Sequence, residues 1–218
     1  MEKTDKLTMR QVSGSEGLDD WRVLLRTLQA SFNTGSMAKG VELVARIGAA
    51  ADEANHHPDL TITYPRVHVL LTTHDADGLT TRDVDLARAI SSLAAELGIS
   101  AEPTAVTQLE IAIDALDIPA VKPFWEAVLG YKPTGDDECV DAYGRGPAFW
   151  FQQMDAPRPQ RNRIHIDVTV PHDVAEQRIA AALAAGGTLV SDAAAPAFWV
   201  LADPEGNEAC VCTWQARD

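Results

Sequence analysis

DEANHHPDLTITYPRVHVLLTTHDADGLTTRD, residues 52–83, decides how the first half of the chain reads. It holds four of the chain's six histidines: His56, His57, His68 and His74. Pro58 has no N–H with which to continue a helix and pushes His57 out of the α region, so a helix arriving from upstream ends at the histidine pair. LTITYPRVHVLLTTH (60–74) alternates about Pro65–Arg66, the pattern of two neighbouring strands joined as a hairpin. Thr80-Thr-Arg-Asp83 reads as a capping box opening the next helix.

Working outward, WRVLLRTLQASF (21–32) has strand composition, and Ser36 is the N-cap of a helix running to Asn55. Met37, Val41, Val44, Ile47, Gly48 and Ala51 are expected to form that helix's inner face. Downstream, Val84, Leu86, Ala87, Ile90, Leu93, Ala94 and Leu97 share one broad face, and Gly98 stands where a helix stops. ISAEPTAVTQ (99–108) is small, polar and proline-containing, and is expected to be a linker. The pattern then restarts. LEIAID reads as a strand, PAVKPFWEAVLG as a helix, and short strands follow through PAFWFQQM. IHIDVTV, DVAEQRIAAALAAGG and FWVLADPEGNEACVCTW repeat that order, which points to an internal duplication. The expected fold class is α+β: a sheet packed on helices in residues 1–98, a linker over 99–108, and paired βαβββ units in 109–218.

The net charge of −14 is spread over both halves, −5 in residues 1–104 and −9 in 105–218. Neither half has the basic footprint that phosphate neutralisation requires, so nucleic acid is not an expected partner, and anionic membrane surfaces are disfavoured for the same reason. Three cysteines without a CxxC pair argue for a reducing compartment rather than a disulfide framework. MEKTDKLTMRQV has no apolar run, so a cytoplasmic protein without membrane anchor is expected.

Imidazoles that titrate near neutrality suit a reaction that delivers one proton and removes another. His74 falls where a strand gives way to the loop DADG, a common position for function. Other readings of these residues stand beside this one. His56–His57 is also an ordinary helix C-terminal pair favoured by the dipole, and Asp83 is also a helix cap.

The spacing Asp52-x3-His56-His57-Pro58-x5-Tyr64-x9-His74-x8-Asp83 resembles the signature of the pterin-4a-carbinolamine dehydratases, and the likeness covers roughly residues 18–98. The resemblance implies dehydration of 4a-hydroxytetrahydropterin to quinonoid dihydropterin, with no metal and no cofactor. His56, His57 and His74 would be catalytic, Asp83 and Asp52 would orient substrate or imidazole, and the chain would assemble as a homo-oligomer. In a second reading the half mediates association and regulation without turnover.

FWEAVLGY (124–131) and DPEGNEACV (203–211) make the second half similar to the glyoxalase/bleomycin-resistance/dioxygenase superfamily. Metal-dependent members build their site from the first and last strands of each unit. Read onto this chain, those positions fall on Glu110, His165 and Cys210, with Gln152 or Gln153 from the first unit. The missing carboxylate and the weak amide ligand leave this half expected to bind a ligand without metal. A metal-dependent enzyme acting through these residues is the third reading.

Overall fold

The computed structural model describes residues 6–157, 165–170, 172–213 and 215–216. They fall into two compact units, 1–108 and 109–218. The first begins with a short helix α1 (Met9–Ser13), capped by Thr8, and strands β1 (Arg22–Leu24) and β2 (Thr27–Asn33). The stretch WRVLLRTLQASF is therefore two antiparallel strands rather than one. Leu25 turns the chain between them at φ 51°.

Ser36 caps helix α2 (Met37–Ala54), accepting from the Lys39 N–H, as the sequence indicates. Strands β3 (Asp59–Thr63) and β4 (Arg66–Leu71) form the hairpin about Tyr64–Pro65. A single 3-10 turn, His74–Ala76, leads to helix α3 (Thr81–Glu96), with Gly98 in the left-handed region just beyond. A final short strand β5 (Ser100–Ala101) pairs with β2. The sheet order is β1-β2-β4-β3.

Val67, Val69 and Leu71 on β4 and Leu28, Ala30 and Phe32 on β2 are all buried. They pack with Leu43 and Ile47 of α2 and Val84, Ala87 and Ile90 of α3, so both long helices lie on one face of the sheet. The inner face of α2 differs from the expected one. Gly40, Leu43, Ile47 and Ala51 are buried, whereas Met37 is 46% and Val41 55% exposed. Glycine decides this: the Ile62 side chain packs so closely on Gly40 that an added Cβ would sit 3.1 Å from it. A close helix–strand approach of that kind leaves no hydropathy signal.

Residues 99–108 are not a free linker. The Glu102 N–H donates to the Ser31 carbonyl, its carboxylate takes Arg66 and Asn33, and Gln108 accepts from Gln29, which is buried. These residues satisfy the polar groups of the sheet's helix-free face, which composition alone does not reveal.

The second unit runs β6 (Glu110–Ala115), α4 (Ile118–Leu129), β7 (Lys132–Thr134), β8 (Glu138–Val140), β9 (Ala148–Gln153), then β10 (Ile166–Thr169), α5 (Ala175–Ala184), β11 (Thr188–Ser191), β12 (Phe198–Ala202) and β13 (Glu208–Cys212). The sheets are ordered β6-β9-β8-β7 and β10-β13-β12-β11. In each, the first strand pairs parallel with the last, β6 with β9 and β10 with β13. That shared topology makes the duplication explicit. Helices α4 and α5 pack in one core with Phe149, Phe151, Ala209 and Val211.

Within that unit the DPEGN turn is structural. Asp203, buried, accepts from the Trp125 indole N–H at 3.0 Å, from the backbone N–H of Glu205 and Asn207, and from the Asn207 amide. The Glu205 carboxylate in turn accepts the N–H groups of Leu116 and Asp117 at the start of α4, where the helix dipole favours it.

Candidate active site and a donor cluster

Two adjacent histidines receive opposite environments because of the residue before them. Asn55 ends α2 in the left-handed conformation (φ 46°), and the His56 N–H returns to the Ala51 carbonyl, as in a Schellman closure. The reversal tucks His56 beneath the helix end, 5% exposed, and leaves His57 outside. Pro58 then starts the chain towards β3.

Inside, the His56 Nε2–H donates to Asp83 Oδ1 at 2.8 Å. The other oxygen, Oδ2, accepts from Thr73 Oγ1 at 2.6 Å and from the Thr80 N–H at 2.7 Å. Thr73 and Thr80 hydroxyls lie 2.9 Å apart, and Thr80 also accepts from the Arg82 N–H. One proton arrangement satisfies every member: Thr80 donates to Thr73, Thr73 to Asp83, and the acceptor-only carboxylate is filled on both oxygens. Asp83 is therefore both a helix cap and the partner that fixes the His56 tautomer, so the two readings of it coexist.

The network joins three segments. His56 belongs to the end of α2, Thr73 to the end of β4 and Asp83 to the first turn of α3. His57 and His74 each follow a network member by one residue. Asp59 pairs with Leu70, so both histidines lie at the open end of the hairpin. Arg82 adds a second tie, donating to the Asn55 carbonyl at 2.6 Å and facing Asp75 at 3.6 Å. The loop after His74 is held as well: Thr73 and Gly78 form a bridge, and Asp77 pairs with Arg26 and Lys6.

On the outside, the His57 Nε2–H donates to Asp52 Oδ1 at 3.0 Å, both side chains being well exposed. His74 is exposed at the start of the 3-10 turn, and among the described residues its ring makes no hydrogen bond or ion pair. Not every member of the motif joins them. Tyr64 is 72% exposed at the hairpin turn, roughly 17 Å along the strand from Asp59. His68 is half-buried on the sheet between Ser31 and Thr61, and burial lowers its pKa. Thr73 and Arg82 escaped the sequence reading, and Thr80 was read only as a helix cap. Their roles depend on contacts between segments, and only the adjacency of Thr73 to His74 hinted at one.

In the second unit, Glu110 opens β6, while His165 immediately precedes β10. The structure groups His165 with Cys210, and the third donor beside them is Asp167, not Glu110. One ligand atom from each of the three lies within 4.8 Å of the others, and this is the one such group among the described residues. Asp167 was legible: it follows His165 by two, hence on the same strand face. Burial, then the Asp167 carboxylate, pushes the Cys210 thiol up to about 12. Cys139, buried in the core, is also pushed up to about 12.

An antiparallel sheet under two helices, with a buried His–Asp–Thr network and two exposed imidazoles at one end, defines a dehydratase-like domain, and the doubled βαβββ unit a glyoxalase-like one. Sequence comparison agrees. The family described as pterin 4 alpha carbinolamine dehydratase matches residues 5–93, and the glyoxalase-like domain family matches residues 110–212. A Nocardia farcinica protein assigned the name pterin-4-alpha-carbinolamine dehydratase is 41% identical over 96 residues, spanning 42% of this chain and 97% of the relative. One from Thermomicrobium roseum is 54% identical over 56 residues, 26% of this chain and 60% of the relative. The solved transcriptional coactivator/pterin dehydratase from Brucella melitensis is 27% identical, covering 41% of this chain and 99% of that one at a TM-score of 0.39. Through its N-terminal half the chain belongs to the pterin 4 alpha carbinolamine dehydratase family, and its C-terminal half is similar to the glyoxalase-like domain family. Among the described residues, no helix is long and apolar enough to cross a membrane.

Proposed function

We propose that the N-terminal unit dehydrates a 4a-hydroxytetrahydropterin. The substrate carries a hydroxyl on C4a beside the N5–H. Breaking the C4a–O bond requires a proton on the departing oxygen, and closing the C4a=N5 bond requires removal of the N5 proton. Water leaves and no oxidation state changes. His57 supplies the base: its Nε2–H is given to Asp52, so the neutral ring presents its lone pair on Nδ1. His74 delivers the proton to the leaving hydroxyl. His56 and Asp83 position both segments from beneath.

The observation that carries this reading is the His56–Asp83–Thr73 chain, which ties the residue before His57 to the residue before His74. An association module would not require a satisfied buried network directly under two exposed imidazoles. The test is turnover of enzymatically generated 4a-hydroxytetrahydropterin by the full chain. Loss of roughly 10²-fold or more is expected in kcat for His74→Ala and for His57→Ala, with pterin binding retained. Losses below about tenfold in both variants, in folded protein, end the acid–base assignment.

A further inference from the structure

Two consecutive residues at the start of α3 hold the histidine-bearing segments from opposite sides. Asp83 reaches inward, to His56 and Thr73, the residues before His57 and His74. Arg82 reaches towards solvent. Its guanidinium donates to the Asn55 carbonyl at 2.6 Å and faces the Asp75 carboxylate at 3.6 Å, while its backbone N–H is fixed on Thr80 Oγ1 at 3.2 Å. Asn55 closes α2, where the helix dipole favours a cation, and Asp75 follows His74 by one residue.

His74 is what needs the second hold. Among the described residues its ring makes no hydrogen bond or ion pair, so its flanking backbone sets where it points. Thr73 is anchored in the buried network on one side, and Asp75 faces Arg82 on the other. Released from Arg82, the 3-10 turn can pivot about Thr73 and the separation of the two imidazoles drifts. A guanidinium suits the task because its donors diverge from one rigid plane and can serve both segments at once, whereas an ammonium is a single point charge.

We propose that Arg82 is a positioning residue of the dehydration, spanning the two segments so that His57 and His74 keep the separation the substrate requires. The inference rests on the acid–base reading above and extends it to a residue which that reading does not use. Arg82 is 33% exposed and Asp75 56%, so their ion pair contributes little to the stability of the fold. Its effect is on geometry, where a displacement of about 1 Å can cost about 10²-fold in rate. Rate and stability are therefore expected to part.

The experiment measures turnover of enzymatically generated 4a-hydroxytetrahydropterin and thermal unfolding for variants of the full chain. Arg88→Gln is the control, because Arg88 lies on the same helix and makes the same two kinds of contact, with the Glu16 carbonyl and Asp85, neither in a histidine segment. Arg82→Gln is expected to lower kcat roughly tenfold or more, with KM within about twofold and a melting midpoint close to that of Arg88→Gln. Arg82→Lys recovers only part of the loss. Asp75→Asn, an exposed change, lowers kcat several-fold, and the double variant falls no further than Arg82→Gln alone. A kcat in folded Arg82→Gln equal to that of Arg88→Gln, a loss confined to KM, or full activity in Arg82→Lys overturns the assignment. So does an unaltered kcat in Asp75→Asn, whatever the fate of the arginine variant. No turnover by the wild-type chain ends the functional reading and this one with it, whereas wild-type turnover that ignores Arg82 ends this one alone.

Discussion

Asp83 shows how much one side chain decides here. Its two oxygens meet different demands, Oδ2 taking only protein donors that must donate and Oδ1 taking a ring that can present either a proton or a lone pair. Asp83→Asn is therefore an informative change. The amide oxygen keeps the Thr80 N–H and the Thr73 hydroxyl, and the amide nitrogen turns to His56. His56 must then accept at Nε2 and carry its proton on Nδ1. Nitrogen NMR of the labelled ring is expected to report that exchange of tautomer, with the domain still folded. An unchanged Nε2–H tautomer would mean that Asp83 does not set it. His68 offers a second residue-scale expectation. Burial lowers its pKa below the ordinary 6.5, so the folded state prefers the neutral ring. Stability is then fully present above pH 6.5 and is lost as pH falls through the lower folded value. His68→Gln is expected to flatten the stability profile of the first unit between about pH 7 and pH 5. The Arg66–Glu102 pair acts lower, because Glu102 is held below its usual 4.5 by the Arg66 guanidinium. Chemical denaturation at stepped pH separates the two windows.

At the scale of elements, caps and breaks were written in the sequence. Ser36, Thr80, Pro58 and Gly98 bound their helices where expected, because each acts through its own backbone neighbourhood. Features that depend on what lies across a gap were not legible. The inner stripe of α2 shifted to Gly40 and Leu43 because Ile62 approaches the glycine, and two overlapping 3.6-residue series look alike until a partner is chosen. The histidines obey the same division. Their convergence could be expected from spacing matched to a family, but the burial of His56 and the part of Thr73 required the fold. Residues 99–108 make the sharpest case, since small polar residues looked like a tether yet complete a sheet. A chain ending at residue 98 loses β5, buried Val106 and the hydrogen bonds to Ser31 and to buried Gln29. That amounts to about 3 kcal/mol. Thermal unfolding of residues 1–98 against 1–108 is expected to differ by roughly 10–20 °C. Equal midpoints would return the segment to linker status.

For the whole molecule, the two units hold separate hydrophobic cores, one from Val12 to Ile99 and the other from Ile113 to Val211. Each has about the size at which a domain sustains its own cooperative transition. Ligands should therefore act on distinguishable parts of the melt. Under the proposed function, a tetrahydropterin lacking the 4a-hydroxyl is expected to bind the first unit without turnover. At one hundred times its dissociation constant it contributes about 2.7 kcal/mol to that unit. In a unit of this size such a gain moves the midpoint by roughly 10 °C or more. Differential scanning calorimetry of the full chain, read beside tryptophan fluorescence, shows which transition moves, Trp21 lying in the first core and Trp125 in the second. The pterin response tests the family assignment at the level of binding, independently of any histidine variant. Pterin stabilisation confined to the second unit would place the binding site in the wrong half and undo the functional reading. The two outcomes are separable because the two units have separate cores.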